Sequence, residues 1–164
     1  MKAVRMETTF DSVKAEKHLK MMLKQYRIKV RKWSVTASGR AYFTVNEVKI
    51  PKPTDIERFC VGMHEIKHCI DGHWGKLYQS EYACEMFAIE QAELLGFDIT
   101  EYKERARRYV IMCISKGYCR KLNLTTLDEH IKDFCNIDFS LWTNKKVFVS
   151  GWGTHKGELT INYQ

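Results

Sequence analysis

Two prolines and nine glycines among 164 residues are too few for a collagen-like or low-complexity chain. No apolar run approaches the roughly 20 residues that a membrane span needs. The opening Met1-Lys2-Ala3-Val4-Arg5-Met6-Glu7 lacks the apolar core of a signal peptide. Six cysteines with no paired CxxC spacing do not make a disulfide scaffold. These absences predict reduced thiols, a cytoplasmic location and no membrane partner. What is present is a globular balance of 45% apolar and 29% charged residues. That is enough for a single domain with a real core, spanning residues 1–164.

Charge is unevenly spread. Residues 1–53 hold thirteen Lys and Arg against four Asp and Glu, whereas residues 54–99 hold three against nine. A Lys-rich first segment is ordinarily a solvated face, and it also suits nucleic acid or an acidic partner. The acidic middle of a basic chain is the more telling feature, because clustered carboxylates often surround a cation.

Periodicity orders the chain. Asp11 or Ser12 caps a first helix to about Arg27, with Val13, Leu19, Met22, Leu23 and Tyr26 inward. Residues 28–36 read as a strand, residues 41–50 as a second strand or two short ones, and Pro51 and Pro53 end the sheet. Thr54 caps a helix to about Ile70, stopped by Asp71-Gly72, with Ile56, Phe59, Met63, Ile66 and Ile70 as its stripe. Gln79 or Ser80 starts another, buried along Tyr82, Met86, Ile89 and Leu95 and ending at Gly96. A helix over 101–116 closes at Gly117, and Thr126-x-x-Glu129 forms a capping box for a fifth, to about Cys135. The tail reads as a hairpin. The order predicts an α+β fold.

His64-Glu65-Ile66-Lys67-His68 is an HExxH sequence inside the helix expected from Thr54. Four residues is slightly more than one turn, so His64 and His68 share a face and can grip one zinc ion. Glu65 lies about 100° round the helix, placed to act as general base on water rather than to touch the metal. A third ligand is needed. The metzincin pattern HExxHxxGxxH is out of register, since Gly72 and His73 each fall off it. Glu81 and Glu85, one turn apart on the next helix, are carboxylate suppliers. Cys60 stands with His64 and His68 at i, i+4 and i+8, but three such ligands on one straight helix span about 12 Å, too long for one tetrahedral ion. A carboxylate is favoured. Asp71 and His73 are candidates to orient ligands, although such residues more often cap a helix end. Tyr78, Tyr82 and His155 are candidate oxyanion donors. Cys113, Cys119 and Cys135 read as packing.

Gly39-Arg-Ala-Tyr42, Val48-Lys-Ile50, Phe59 ahead of His64-Glu-x-x-His68, and Glu81-x-x-Cys84-Glu85-Met86-Phe87-Ala88 together cover about a third of the chain. This stretch resembles the ImmA/IrrE-type metallopeptidases, phage and mobile-element proteins of the zincin class. The resemblance implies a zincin-like fold with a small, mainly antiparallel sheet packed on the active-site helix. It implies zinc as cofactor and Glu81 as the third ligand. Glu85 stands where the family usually has Asn, and Ala92-Glu-Leu-Leu-Gly96 replaces the usual Leu-Met-Pro ending. In zincins the substrate lies antiparallel to an edge strand before the metal helix, which here implies Tyr42, Phe43, Thr44 and Val45.

The expected function is a zinc endopeptidase of phage or mobile-element type, in the bacterial host cytoplasm. Its partner is a specific intracellular protein or peptide, and relatives of this type cleave DNA-binding repressors. A different reading is a catalytically silent zinc-containing binding or regulatory protein. A third, the zinc-bearing module of a nucleic-acid protein such as an SprT-like protease, fits the pI of 9.1 but wants a third histidine that the helix does not supply.

Overall fold

Asp11 accepts a hydrogen bond from the Lys14 amide at 3.0 Å and so starts helix α1, Ser12–Gln25. Ala15, His18, Leu19, Met22 and Leu23 form its buried face. Val13 and Tyr26, expected inward, are exposed, because they lie at the helix ends beyond the packed turns. The computed structural model describes residues 9–72, 75–119, 122–142, 147–150 and 160–163.

Three strands follow: β1 (Lys29–Ser34), β2 (Arg40–Tyr42) and β3 (Glu47–Pro51). Their order is β1-β3-β2, with β1 parallel and β2 antiparallel to the central β3. Residues 41–50 thus divide into two short strands. Asn46, at φ 54°, makes the left-handed step between them and donates to the Tyr26 and Arg27 carbonyls. Val48 and Ile50 of β3 are buried, as the period of two requires.

Helix α2 (Ile56–Asp71) packs on β3 and β2, and α1 packs on α2. Its cap is Asp55, one residue later than expected: the Asp55 carboxylate accepts from the Arg58 amide at 2.8 Å. Gly72, at φ 67°, ends it. Helix α3 (Leu77–Leu94) begins earlier than expected, and α4 (Thr100–Cys119) continues past Gly117. The expected capping box does not form. Thr126 lies in a 3-10 turn, Leu124–Thr126, with its hydroxyl on the Asn123 carbonyl. Asp128 occupies the N-cap position of α5 (Glu129–Cys135) instead. A second 3-10 turn, Phe139–Trp142, precedes the antiparallel pair β4 (Val147–Ser150) and β5 (Thr160–Tyr163). The glycine-rich turn of that hairpin lies outside the described residues.

The fold is α+β with a small sheet. The chain divides into two compact units, one of Met1–His73 with Cys84–Tyr102 and one of Trp74–Ala83 with Lys103–Gln164. The first has a core that includes Leu19, Val48, Ile50, Phe59, Met63 and Ile66. The second is centred on Tyr78, Val110, Ile111, Ile114, Ile131 and Trp142. No helix among the described residues is long and apolar enough to cross a membrane.

Candidate metal centre

The expected HExxH segment lies in the middle of α2, where backbone bonds on both sides hold it rigid. His64 is buried and its Nε2 lies 3.1 Å from Nε2 of His68, with the two rings nearly perpendicular at 71°. Side chains four apart on a helix meet in this way.

Glu65 lies beside Gly39. A Cβ built on Gly39 would come within 2.8 Å of Glu65 Oε1, so this carboxylate occupies the space that the glycine leaves before β2. Cys69, one turn after Glu65, donates its thiol to the Glu47 carbonyl at 3.5 Å. Burial, and then the Glu65 charge, push that thiol up to about 11, so it is protonated at neutral pH.

Helix α3 buries a different face from the expected one. Tyr82 and Met86 are only half-buried, and the inward line is Tyr78, Glu81, Cys84, Glu85, Ala88, Ile89 and Ala92. Apolar periodicity missed this phase because the centre of the line carries two carboxylates. Glu81 is 7% and Glu85 4% exposed, a degree of burial that carboxylates rarely accept without partners.

Glu85 shows what such partners do. Its Oε1 lies 3.2 Å from Nδ1 of His64, and its Oε2 accepts from the buried Tyr102 hydroxyl at 2.6 Å. The carboxylate sits behind the imidazole, on the nitrogen remote from His68. A carboxylate that close favours the tautomer with the proton on Nδ1 and the Nε2 lone pair outward, the arrangement by which protein scaffolds orient histidine ligands, although the 3.2 Å approach is not angled as a hydrogen bond.

One group of described residues can hold a metal ion: His64, His68 and Cys84, whose ligand atoms all lie within 4.8 Å of one another. Around tetrahedral zinc, neighbouring N and S ligand atoms stand roughly 3.3–3.6 Å apart. The three side chains therefore fit the ion with small rotations. Cys84 is 1% exposed. Cys84 has no ligand spacing of its own in the sequence, because it meets the two histidines from the next helix. Tyr102 had no local signal, because it meets Glu85 from 17 residues away.

The other candidates fall as follows. Cys60 is fully buried with Sγ against the Ala88 carbonyl at 3.9 Å, a packing role. Asp71 pairs with Lys67 at 2.8 Å, an ordinary i,i+4 contact at the end of α2. Tyr78 belongs to the core of the second unit, where Tyr82 also packs edge-on against His130 and Phe134. Cys113 and Cys135 pack in that core as well. His73 and His155 lie outside the described residues, as does the side chain of Cys119. Tyr42 ends β2, but Phe43, Thr44 and Val45 form the turn into β3 rather than strand, because the left-handed Asn46 folds the chain back there. Comparison with protein-family models, with curated proteins and with solved structures finds no match.

Proposed function

We propose that the chain is a zinc-dependent endopeptidase acting on a specific intracellular protein in a bacterial cytoplasm, with DNA-binding repressors as the candidate substrate class. The observation that carries this reading is the HExxH pair, with its Nε2 atoms 3.1 Å apart on α2 and the His64 ring backed by Glu85. Zinc bound there supplies Lewis acidity, which makes water a nucleophile at neutral pH. Its third ligand comes from α3: the family resemblance offers Glu81, and Cys84 is the α3 residue whose ligand atom lies within 4.8 Å of both histidines. Glu65 accepts the proton of the attacking water and later delivers it to the departing amine. Glu65 follows His64 directly on α2, and its carboxylate lies beside Gly39. β2 is an edge strand, so an extended substrate can add to it main chain to main chain. Nucleic acid is not required by this reading.

A thiol among the close ligand atoms favours a second reading, a silent zinc-containing regulatory protein, since thiolates are the commonest ligands of structural zinc. Glu65→Gln separates the two. Bacterial cells producing the wild type should contain new protein fragments that are absent from cells producing Glu65→Gln at equal level. Identical fragment patterns, with zinc bound in both proteins, would sink the peptidase reading and leave the silent one.

A further inference from the structure

We propose that Cys84 Sγ is the third protein ligand of the ion held by His64 and His68, with Glu85 and Tyr102 as positioning residues for His64. The inference rests on the reading of the HExxH helix as a metal site and changes the composition of that site. Its ground is that His64, His68 and Cys84 form the metal-sized group, with ligand atoms within 4.8 Å of one another.

The neighbouring carboxylate does different work. Glu85 has one oxygen at His64 Nδ1 and the other under the Tyr102 hydroxyl, which turns it to the back of the imidazole. Successive helical residues point about 100° apart. The Cys84-Glu85 pair therefore presents a soft ligand to one side and an orienting carboxylate to the other.

The chemistry of this set is coherent. Two imidazoles and one thiolate select zinc over magnesium or calcium, which want oxygen. Three protein ligands leave the fourth tetrahedral position open, as hydrolytic sites require. Metal binding draws the thiol into its ionised form, as a cysteine ligand requires.

Cobalt(II) titration of the purified full-length chain tests the assignment without reference to activity. The wild type should take up one cobalt with visible ligand-field bands and a near-ultraviolet thiolate-to-cobalt charge-transfer band. Cys84→Ser should lose the charge-transfer band and weaken binding by at least about 100-fold, more than the ~10–100-fold expected of a residue that only supports a ligand. Cys84→Ala is the second variant, and circular dichroism verifies that each is folded. A wild-type spectrum with ligand-field bands but no charge-transfer band overturns the Cys84 assignment and leaves the histidine site standing. So does a charge-transfer band that survives in Cys84→Ser. Failure of the wild type to bind cobalt, or unchanged binding in both His64→Ala and His68→Ala, overturns the metal site itself.

Discussion

Gly39 and Glu65 meet across the space between the sheet and α2, and a single methyl group is enough to disturb them. Gly39→Ala would set a Cβ 2.8 Å from Glu65 Oε1, so the carboxylate must move. Displacement of a general base by about 1 Å can cost ~100-fold in rate. If the chain is the zinc peptidase proposed, Gly39→Ala should slow cleavage while zinc affinity stays at the wild-type value, as judged by parallel metal titration and turnover assays. Glu85→Gln should act on the opposite quantity. It removes the negative charge 3.2 Å from His64 Nδ1, and metal affinity should fall by ~10–100-fold. Unchanged affinity in that variant would show that His64 needs no carboxylate behind it. Roles of this kind were partly legible in sequence. The spacing of His64, Glu65 and His68 alone dictates which side of a helix each occupies. That Gly39 would be what Glu65 leans on is a contact between an irregular segment and a helix, and no local pattern encodes it.

Helix boundaries are legible in the sequence to within a few residues, and at α2 the difference comes down to two neighbouring caps. Thr54 and Asp55 are both good caps, and the choice falls to the side chain that reaches the third helical amide. Asp55 does so, at 2.8 Å from the Arg58 amide, and it also meets the Arg58 side chain at 3.1 Å. Asp55→Ala should therefore lower stability by about 1 kcal/mol in urea unfolding, whereas Thr54→Ala should change it by only a few tenths. Equal effects would return the cap to Thr54. The larger misreading was rotational. Helix α3 exposes Leu94 and only half-buries Tyr82 and Met86, while it buries Glu81, Cys84 and Glu85. Apolar periodicity assumes that the inward face is greasy. Where a helix buries a carboxylate against a histidine and a tyrosine, as Glu85 is buried, that assumption fails.

Across the whole chain, alkaline pH should uncover the thiols of the core. Cys135 is fully buried, and burial pushes its thiol from 9.0 up to about 12, against a small opposing effect of Arg107. Burial, and then the charge of Asp128, also raise the Tyr78 phenol above its ordinary 10.0. Both groups hold their protons more tightly when folded. Their contribution to stability is full below the unfolded values and is lost as pH rises, for Cys135 between 9.0 and about 12, because the unfolded chain ionises first. Urea midpoints should fall over that range, and Cys135→Ala, although weaker at neutral pH, should fall less steeply. An equal slope in both proteins would remove Cys135 as a cause.

The sequence by itself determined the α+β order, the helices to within a few residues of their ends, and the placement of His64 and His68 on one face with Glu65 beside them. Each of these follows from local spacing, since a helix repeats every 3.6 residues whatever surrounds it. Tertiary structure decided which face of α3 turns inward, that Glu85 stands behind His64 with Tyr102 holding it, and that Cys84 joins the histidines. The physical reason is that a polar side chain becomes worth burying only once its partner is in place. Here the partners come from helices that meet only in the folded chain.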